Sequence, residues 1–183
     1  MSSSLDINNI DIVQPRPQGS VVDTTKSENK IQFLKIGNNY NQDFVACKPT
    51  LDTSGEGSFW KVTVDKLCHN EWLFLGIIGN LDASKYSIED STSYGWVSNS
   101  SSYHGGTKRS GDSGFWKGFN QGECLYFHLK SNKLAAFHVQ ENKKFTIDIA
   151  TTVSPYFIHF NMYDSNTMLT LESLDAVERA RFL

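Results

Sequence analysis

From about residue 30 to residue 172 the chain is a series of short apolar runs, each closed by Gly, Asn, Asp or Ser. Their spacing of roughly 8–12 residues is that of a sandwich or barrel. Residues 59–64 alternate, with Trp60, Val62 and Val64 on one face and Lys61 and Thr63 on the other. Residues 72–78 are nearly all apolar, as in a central strand covered on both sides. Further runs fall at 125–129, 134–139, 145–149, 156–162 and 168–171. Ser131-Asn132 is a two-residue link between two runs and predicts a tight hairpin. Asp164-Ser165-Asn166 joins the last two, read as a final hairpin. A 3.6-residue period shows only at 173–183, a short helix with Ser173 at its N-cap position. The fold class is therefore all-β, an antiparallel arrangement over residues 30–172. Residues 1–29 are polar and form a mobile N-terminal tail on this reading, with Ile7, Ile10, Ile12 and Val13 available to dock on the domain.

Aromatic residues make up 13% of the 183 residues, and side chains of that size suit a core between facing sheets. The net charge is −3, and the only adjacent basic pairs are Lys108-Arg109 and Lys143-Lys144. No basic stripe exists to neutralise phosphates, so nucleic acid is not the expected partner. Cys47, Cys68 and Cys124 are far apart and odd in number, which fits free thiols in a reducing compartment. The first residues carry no apolar core run of a signal peptide, and no stretch nears the roughly 20 apolar residues of a membrane span. A cytoplasmic protein without membrane contact is the expectation, and it leaves the Asn99-Ser100-Ser101 glycosylation acceptor unused.

Several features fall in one order. Gly57-Ser58-Phe59-Trp60-Lys61-Val62 places a Trp in a strand just after a glycine turn. Trp72-Leu73-Phe74-Leu75-Gly76-Ile77 follows, its Gly marking a close backbone approach. Then come Tyr94-Gly95-Trp96, Gly118-Phe119-Asn120-Gln121-Gly122-Glu123 before Leu125, and the hairpin around Ser131-Asn132. The succession over residues 30–172 resembles the SPRY (B30.2-type) domain. It departs from that pattern at Glu123, where an Asp is usual, and in the hairpin, where an Asp near Lys130 and a Gly near Lys133 are missing.

The resemblance implies a bent β-sandwich of the concanavalin-like shape. It also implies docking of a short peptide or protein surface, in the manner of modules that recruit targets to ubiquitin-ligase or signalling assemblies. No RING, B-box or SOCS-box pattern accompanies it. In the family the binding face is built from loops before the aromatic-Gly-Trp motif and before the final strand. By position this implicates Tyr86, then Tyr163, Asp164 and Ser165, and further Lys48 and Pro49. A tyrosine suits such a role because it offers rigid apolar area with a polar tip. Residues 98–114 form the longest low-order insertion, read as a mobile surface loop in preference to a partner contact through Tyr103, His104 and Arg109. Trp60, Trp72 and Trp96 are assigned to the core. A lectin-like sandwich that binds carbohydrate is the alternative function.

Gly111-Asp112-Ser113-Gly114 echoes the nucleophile loop of trypsin-like proteases. A triad also needs a His to take the Ser proton and a buried Asp to orient it, and neither His69 nor His104 has the matching context. Cys68-His69 are neighbours, which point to opposite faces in a strand. The five His and three Cys show no metal-ligand spacing, and no phosphate-binding glycine loop is present. No catalytic residue, metal or cofactor is expected. His128, His138 and His159 are read as hydrogen-bonded sheet residues.

Overall fold

A computed structural model of the chain describes residues 5–14, 21–37, 42–68, 72–83, 86–110 and 116–182. The alternating pattern becomes two antiparallel sheets, each of seven strands among the described residues. Strands are numbered in chain order. The first sheet takes, in spatial order, β1 (Asp11–Val13), β4 (Asp43–Leu51), β13 (Tyr156–Met162), β6 (Leu73–Ile78), β7 (Tyr94–Val97), β8 (Ser101–His104) and β9 (Thr107–Ser110). The second takes β12 (Lys143–Asp148), β11 (Lys133–His138), β10 (Cys124–Lys130), β5 (Ser58–Lys66), β14 (Met168–Glu172), β3 (Lys30–Ile36) and β2 (Val21–Ser27). The all-β bent sandwich expected from the sequence is this arrangement.

The core lies between the sheets and follows the period of two. Trp60, Val62 and Val64 of β5 face Leu75, Trp96, Ile158 and Phe160 of the first sheet, all buried. Trp60 stands opposite Phe127 of β10 in register, and the two rings stack 5.2 Å apart. Trp116 is buried as well, donating its Nε1 hydrogen to the Val97 carbonyl at 2.9 Å. In the first sheet, Gly76 and Gly95 are cross-strand partners. A Cβ on Gly95 would lie 2.3 Å from the Leu75 carbonyl oxygen and 2.7 Å from Gly76 Cα, so the close approach needs glycine on both strands.

Four sequence expectations are corrected. Residues 7–13 and 21–27, assigned to a mobile tail, are built into the sandwich. Ile7 and Ile10 are buried, β1 pairs with β4, β2 pairs with β3, and Gln14 bridges to both backbone groups of Val22 at 2.6 and 3.2 Å. Both are edge strands, which need little apolar sequence. Part of the 98–114 insertion is the β8–β9 hairpin, closed by Gly105 and Gly106, whose φ angles of 59° and 75° suit the favoured two-residue turn. Third, β13 and β14 lie in opposite sheets, so Asp164-Ser165-Asn166 arches between layers and closes no hairpin. Fourth, Trp72 is half-buried because the strand begins one residue later.

The predicted Ser131-Asn132 hairpin does form, with Lys130 opposite Lys133. At the C-terminus, α1 (Ala176–Arg179) is capped by Asp175, not Ser173. Its carboxylate accepts from Glu178 N at 2.8 Å, while Glu178 accepts from Asp175 N at 2.9 Å. The segment lays Leu174 and Phe182 on Phe59, Ala135 and Phe137, the outer face of the second sheet.

Candidate functional site

The outer face of the first sheet is apolar: Phe44, Ala46, Ile78 and Phe157 form one cluster, Phe74, Val97 and Tyr103 another. The connection between β6 and β7, in its described residues 79–83 and 86–93, covers part of it through Leu81, Ala83 and Ile88. Its two ends are tied by Asp90, which accepts from Asn80 Nδ2 at 2.8 Å, Thr92 N at 2.9 Å and Thr92 Oγ1 at 2.6 Å. Burial pushes the Asp90 carboxyl up, but the hydrogen bonds from Thr92 and Asn80 outweigh it and hold it below the usual carboxylate range.

Within this connection a single 3₁₀ turn, Ser87–Glu89, carries Tyr86 at its entry. Ile88 inserts between Phe74, Val97 and Tyr103. Ser87 is nailed down from below: Asn161 Nδ2 donates to Ser87 Oγ at 2.8 Å, and Ser87 Oγ stands 2.9 Å from His159 Nε2. The Ser87 hydroxyl keeps a donor and a second acceptor site for the imidazole, so the direction of that bond follows the His159 tautomer. Burial lowers the His159 pKa to about 3, against the charge of Asp90, so the ring is neutral at ordinary pH. Ser87 and His159 are both 0% exposed beneath Phe44 and Phe74. A sealed imidazole of such low basicity is positioned for anchoring, not for proton transfer to a substrate.

Tyr86 itself is 47% exposed. The register of β13 and β6 explains what stands beside it. Met162 faces Leu73 and Asn161 faces Phe74, so the next pair outward is Tyr163 and Trp72. Their rings meet edge to face with centroids 6.4 Å apart, both half-buried. Asn161 and Tyr163 share the outer face by alternation, and Asn161 holds the turn that carries Tyr86. The turn that carries Tyr86 and the Trp72–Tyr163 pair therefore both lie on the outer face of the first sheet, with Ile88, Phe74 and Tyr103. Lys108 of β9 lies opposite Tyr103 in register and extends the same face with an exposed cation.

The arch after Tyr163 is fixed from inside. Lys35 of β3 is fully buried, its ammonium 3.0 Å from the Asp43 carboxylate, and it donates to the carbonyls of Met162 at 3.0 Å and Tyr163 at 2.5 Å. Burial lowers its pKa from the ordinary lysine value, opposed by Asp43 and by the charge of Asp164. The arch backbone is also zipped to β3, with Lys35 N donating to Thr167 O and Asn166 N to Lys35 O.

Of the residues singled out in the sequence, Tyr86 and Tyr163 are brought to one face. Ser165 is half-buried on the arch. Asp164 is 5% exposed and adds negative charge around Lys35, so it belongs to the support. Lys48 and Pro49 are exposed but lie apart, with Lys48 opposite Asp11 on β1. Lys48 stands five positions along β4 from Asp43, about 17 Å at strand rise. Ser113 and its glycine-flanked loop, and His69, fall outside the described residues. Sequence reasoning missed Trp72 as a half-buried partner of Tyr163 and Lys108 as an exposed cation on β9. Cys47, Cys68 and Cys124 are free thiols, and burial pushes Cys47 up to about 12. Among the described residues no cluster of three or more His, Cys, Asp or Glu could hold a metal, and no helix is long and apolar enough to cross a membrane.

The chain is thus a two-sheet antiparallel sandwich with the Trp72–Tyr163 pair at one end of its first sheet. Solved structures similar to it include SPRY domains. The SPRY domain of human HERC1 matches with a TM-score of 0.57 at 14% identity, covering 88% of this chain and 97% of that one. The TRIM65 PSpry domain matches with a TM-score of 0.56 at 13% identity, covering 84% and 85%. A further human SPRY domain gives 0.55 at 14%, covering 85% and 97%. No protein-family model and no curated protein matches the sequence. The chain has the SPRY fold.

Proposed function

We propose that this protein is a protein-interaction module that takes a short peptide or a small protein surface on the face bordered by Tyr86, Trp72 and Tyr163. The observation that carries this reading is the pre-set aromatic trio. Tyr86 is exposed on a turn held by Ser87, Asn161 and His159, and the Trp72–Tyr163 pair is held by the Lys35 network. Aromatic side chains already fixed before binding lose little freedom on contact, which is where recognition energy concentrates. The preferred ligand has an apolar anchor for the aromatic trio and a carboxylate that reaches Lys108. Recruitment of that ligand to a ubiquitin-ligase or signalling assembly in the cytoplasm is the wider role this reading suggests, with no chemistry performed by the module.

The test is selection from a random peptide display library. The parent protein is expected to enrich peptides with an aromatic or aliphatic anchor beside an acidic residue. Those peptides should move the backbone amide resonances of residues 86–88, 103 and 163. Tyr86→Ala and Tyr163→Ala should keep the far-ultraviolet spectrum and lose the enriched peptides, and Lys108→Glu should lose the acidic preference. If both tyrosine variants retain every enriched peptide, the face is wrong.

A further inference from the structure

At the far end of the sandwich a cleft of about 480 Å³ opens, within the range of small-ligand sites. It is lined by three chain segments: the start of the connection after β4, the Ser131-Asn132 turn and the β12–β13 connection. Tyr156, at its floor, is the first residue of β13, and Tyr163 follows the last. Six strand positions separate Tyr156 from Met162, about 20 Å, so the cleft is remote from the aromatic face.

The walls are locked to one another by backbone hydrogen bonds. Ser131 N donates to Thr53 O at 2.7 Å and Ile149 N to Asn132 O at 2.9 Å. Ala150 is held on both sides, its N donating to the Tyr94 hydroxyl at 3.2 Å and its carbonyl accepting from the Tyr156 hydroxyl at 2.9 Å. These bonds fix the positions of the three lining segments relative to one another. What remains is side-chain capacity. Thr53, Ser131, Asn132, Thr151 and Ser154 line the cleft, and among the described residues none of these five side chains is hydrogen-bonded within the molecule. Leu51, Val153 and Ala150 supply apolar surface between them.

No lining residue is charged at neutral pH: the one ionisable group, the Tyr156 phenol, has its pKa pushed up by burial. A charged ligand entering here would give up hydration without gaining a counter-charge, so the cleft selects against ions. Hydroxyls and an amide set around apolar surface match a ligand that presents donor-acceptor hydroxyls on its rim and C–H groups on its face. That combination is the chemistry of an uncharged sugar ring.

We infer that this cleft is a second binding site, for a neutral saccharide, independent of the peptide-binding face. The probes are methyl glycosides of glucose, galactose, mannose and N-acetylglucosamine, their β-1,4-linked disaccharides, N-acetylneuraminic acid, and the blocked neutral peptide acetyl-Ala-Ser-Ala-amide. Each is titrated into the full chain and followed by amide resonances. At least one neutral saccharide is expected to give saturable shifts confined to residues 53, 131–132 and 150–154, with a Kd of about 1 mM or tighter. The acidic sugar and the peptide are expected to bind no better. Asn132→Ala and Thr151→Val, each exposed at the surface, should keep the melting profile and together weaken binding by at least about fivefold. Tyr86→Ala with Tyr163→Ala should leave the sugar titration unchanged, which separates this site from the peptide face. Absence of saturable shifts with every neutral saccharide overturns the inference. So do shifts centred elsewhere, and so does preferential binding of the peptide in the cleft.

Discussion

Lys35 Nζ lies 3.0 Å from the Asp43 carboxylate with both side chains almost out of solvent, 0% and 8% exposed. The pair joins β3 of one sheet to β4 of the other at the end where Tyr163 emerges. The same ammonium also holds the carbonyls of Met162 and Tyr163. Its benefit is geometric: it sets where the arch leaves β13.

Removing one partner of this pair leaves uncompensated buried charge. Lys35→Met is expected to destabilise the fold by about 3–5 kcal/mol in urea unfolding. Lys35→Met with Asp43→Asn should recover part of that loss, and a double variant as unstable as the single one would show that the pair is not coupled.

His159 makes stability acid-sensitive. Its folded pKa, about 3, is depressed below the ordinary 6.5 by burial, with Asp90 opposing. Above pH 6.5 neither state binds the proton, and no penalty exists. As pH falls from 6.5 toward 3, the unfolded chain takes up a proton that the folded chain refuses. The contribution is lost at about 1.4 kcal/mol per pH unit through that window. His159→Gln should therefore show a flatter stability profile between those limits, whatever its stability at pH 7. Parallel profiles would refute the assignment.

Gly95→Ala forces a methyl onto the Leu75 carbonyl and the Gly76 backbone. A loss of about 1–3 kcal/mol by thermal or urea unfolding is expected, because neither neighbour is a flexible side-chain end. Gly76→Ala should behave alike, its Cβ falling 2.1 Å from the Tyr94 carbonyl oxygen.

Asp175→Ala removes the carboxylate that accepts from Glu178 N, one half of the reciprocal cap, and loosens the segment that presses Phe182 on Phe59. A cost of about 1 kcal/mol is expected, with faster amide exchange confined to residues 176–182. Unchanged exchange there would show that Lys61, 3.0 Å from Glu178, holds the segment without the cap.

Much of this architecture was legible from alternation. Trp60, Val62 and Val64 share the inner face as read, and His128, His138 and His159 each find a hydrogen-bond partner within the sandwich. The same rule held an unused signal: Ile31, Phe33 and Lys35 occupy one face of β3, which puts a lysine at a core position. Its partners were not legible, because Asp43, although near in sequence, begins a strand of the opposite sheet, and Asp164 comes from a distant part of the chain. Polar edge strands escaped for a related reason. Val21–Ser27 and Thr107–Ser110 each pair on one side only, so their sequences carry no apolar period, although Gly105-Gly106 marked the second as a hairpin. Turn residues alone do not tell a hairpin from an arch, which is why Asp164-Ser165-Asn166 was misread. Trp72 and Tyr163 meet through register, a property of paired strands that one strand's sequence does not contain.

Strand β14 enters its sheet between β5 and β3, not at an edge. A nascent chain that has emerged only as far as residue 167 holds two half-sheets with raw, sticky borders and no closed core. Completion waits on five late residues, Met168–Glu172, sliding in as a keystone. Closure of the second sheet thus waits on that strand, and the interval before it is when the unpaired borders of β5 and β3 are most exposed to aggregation.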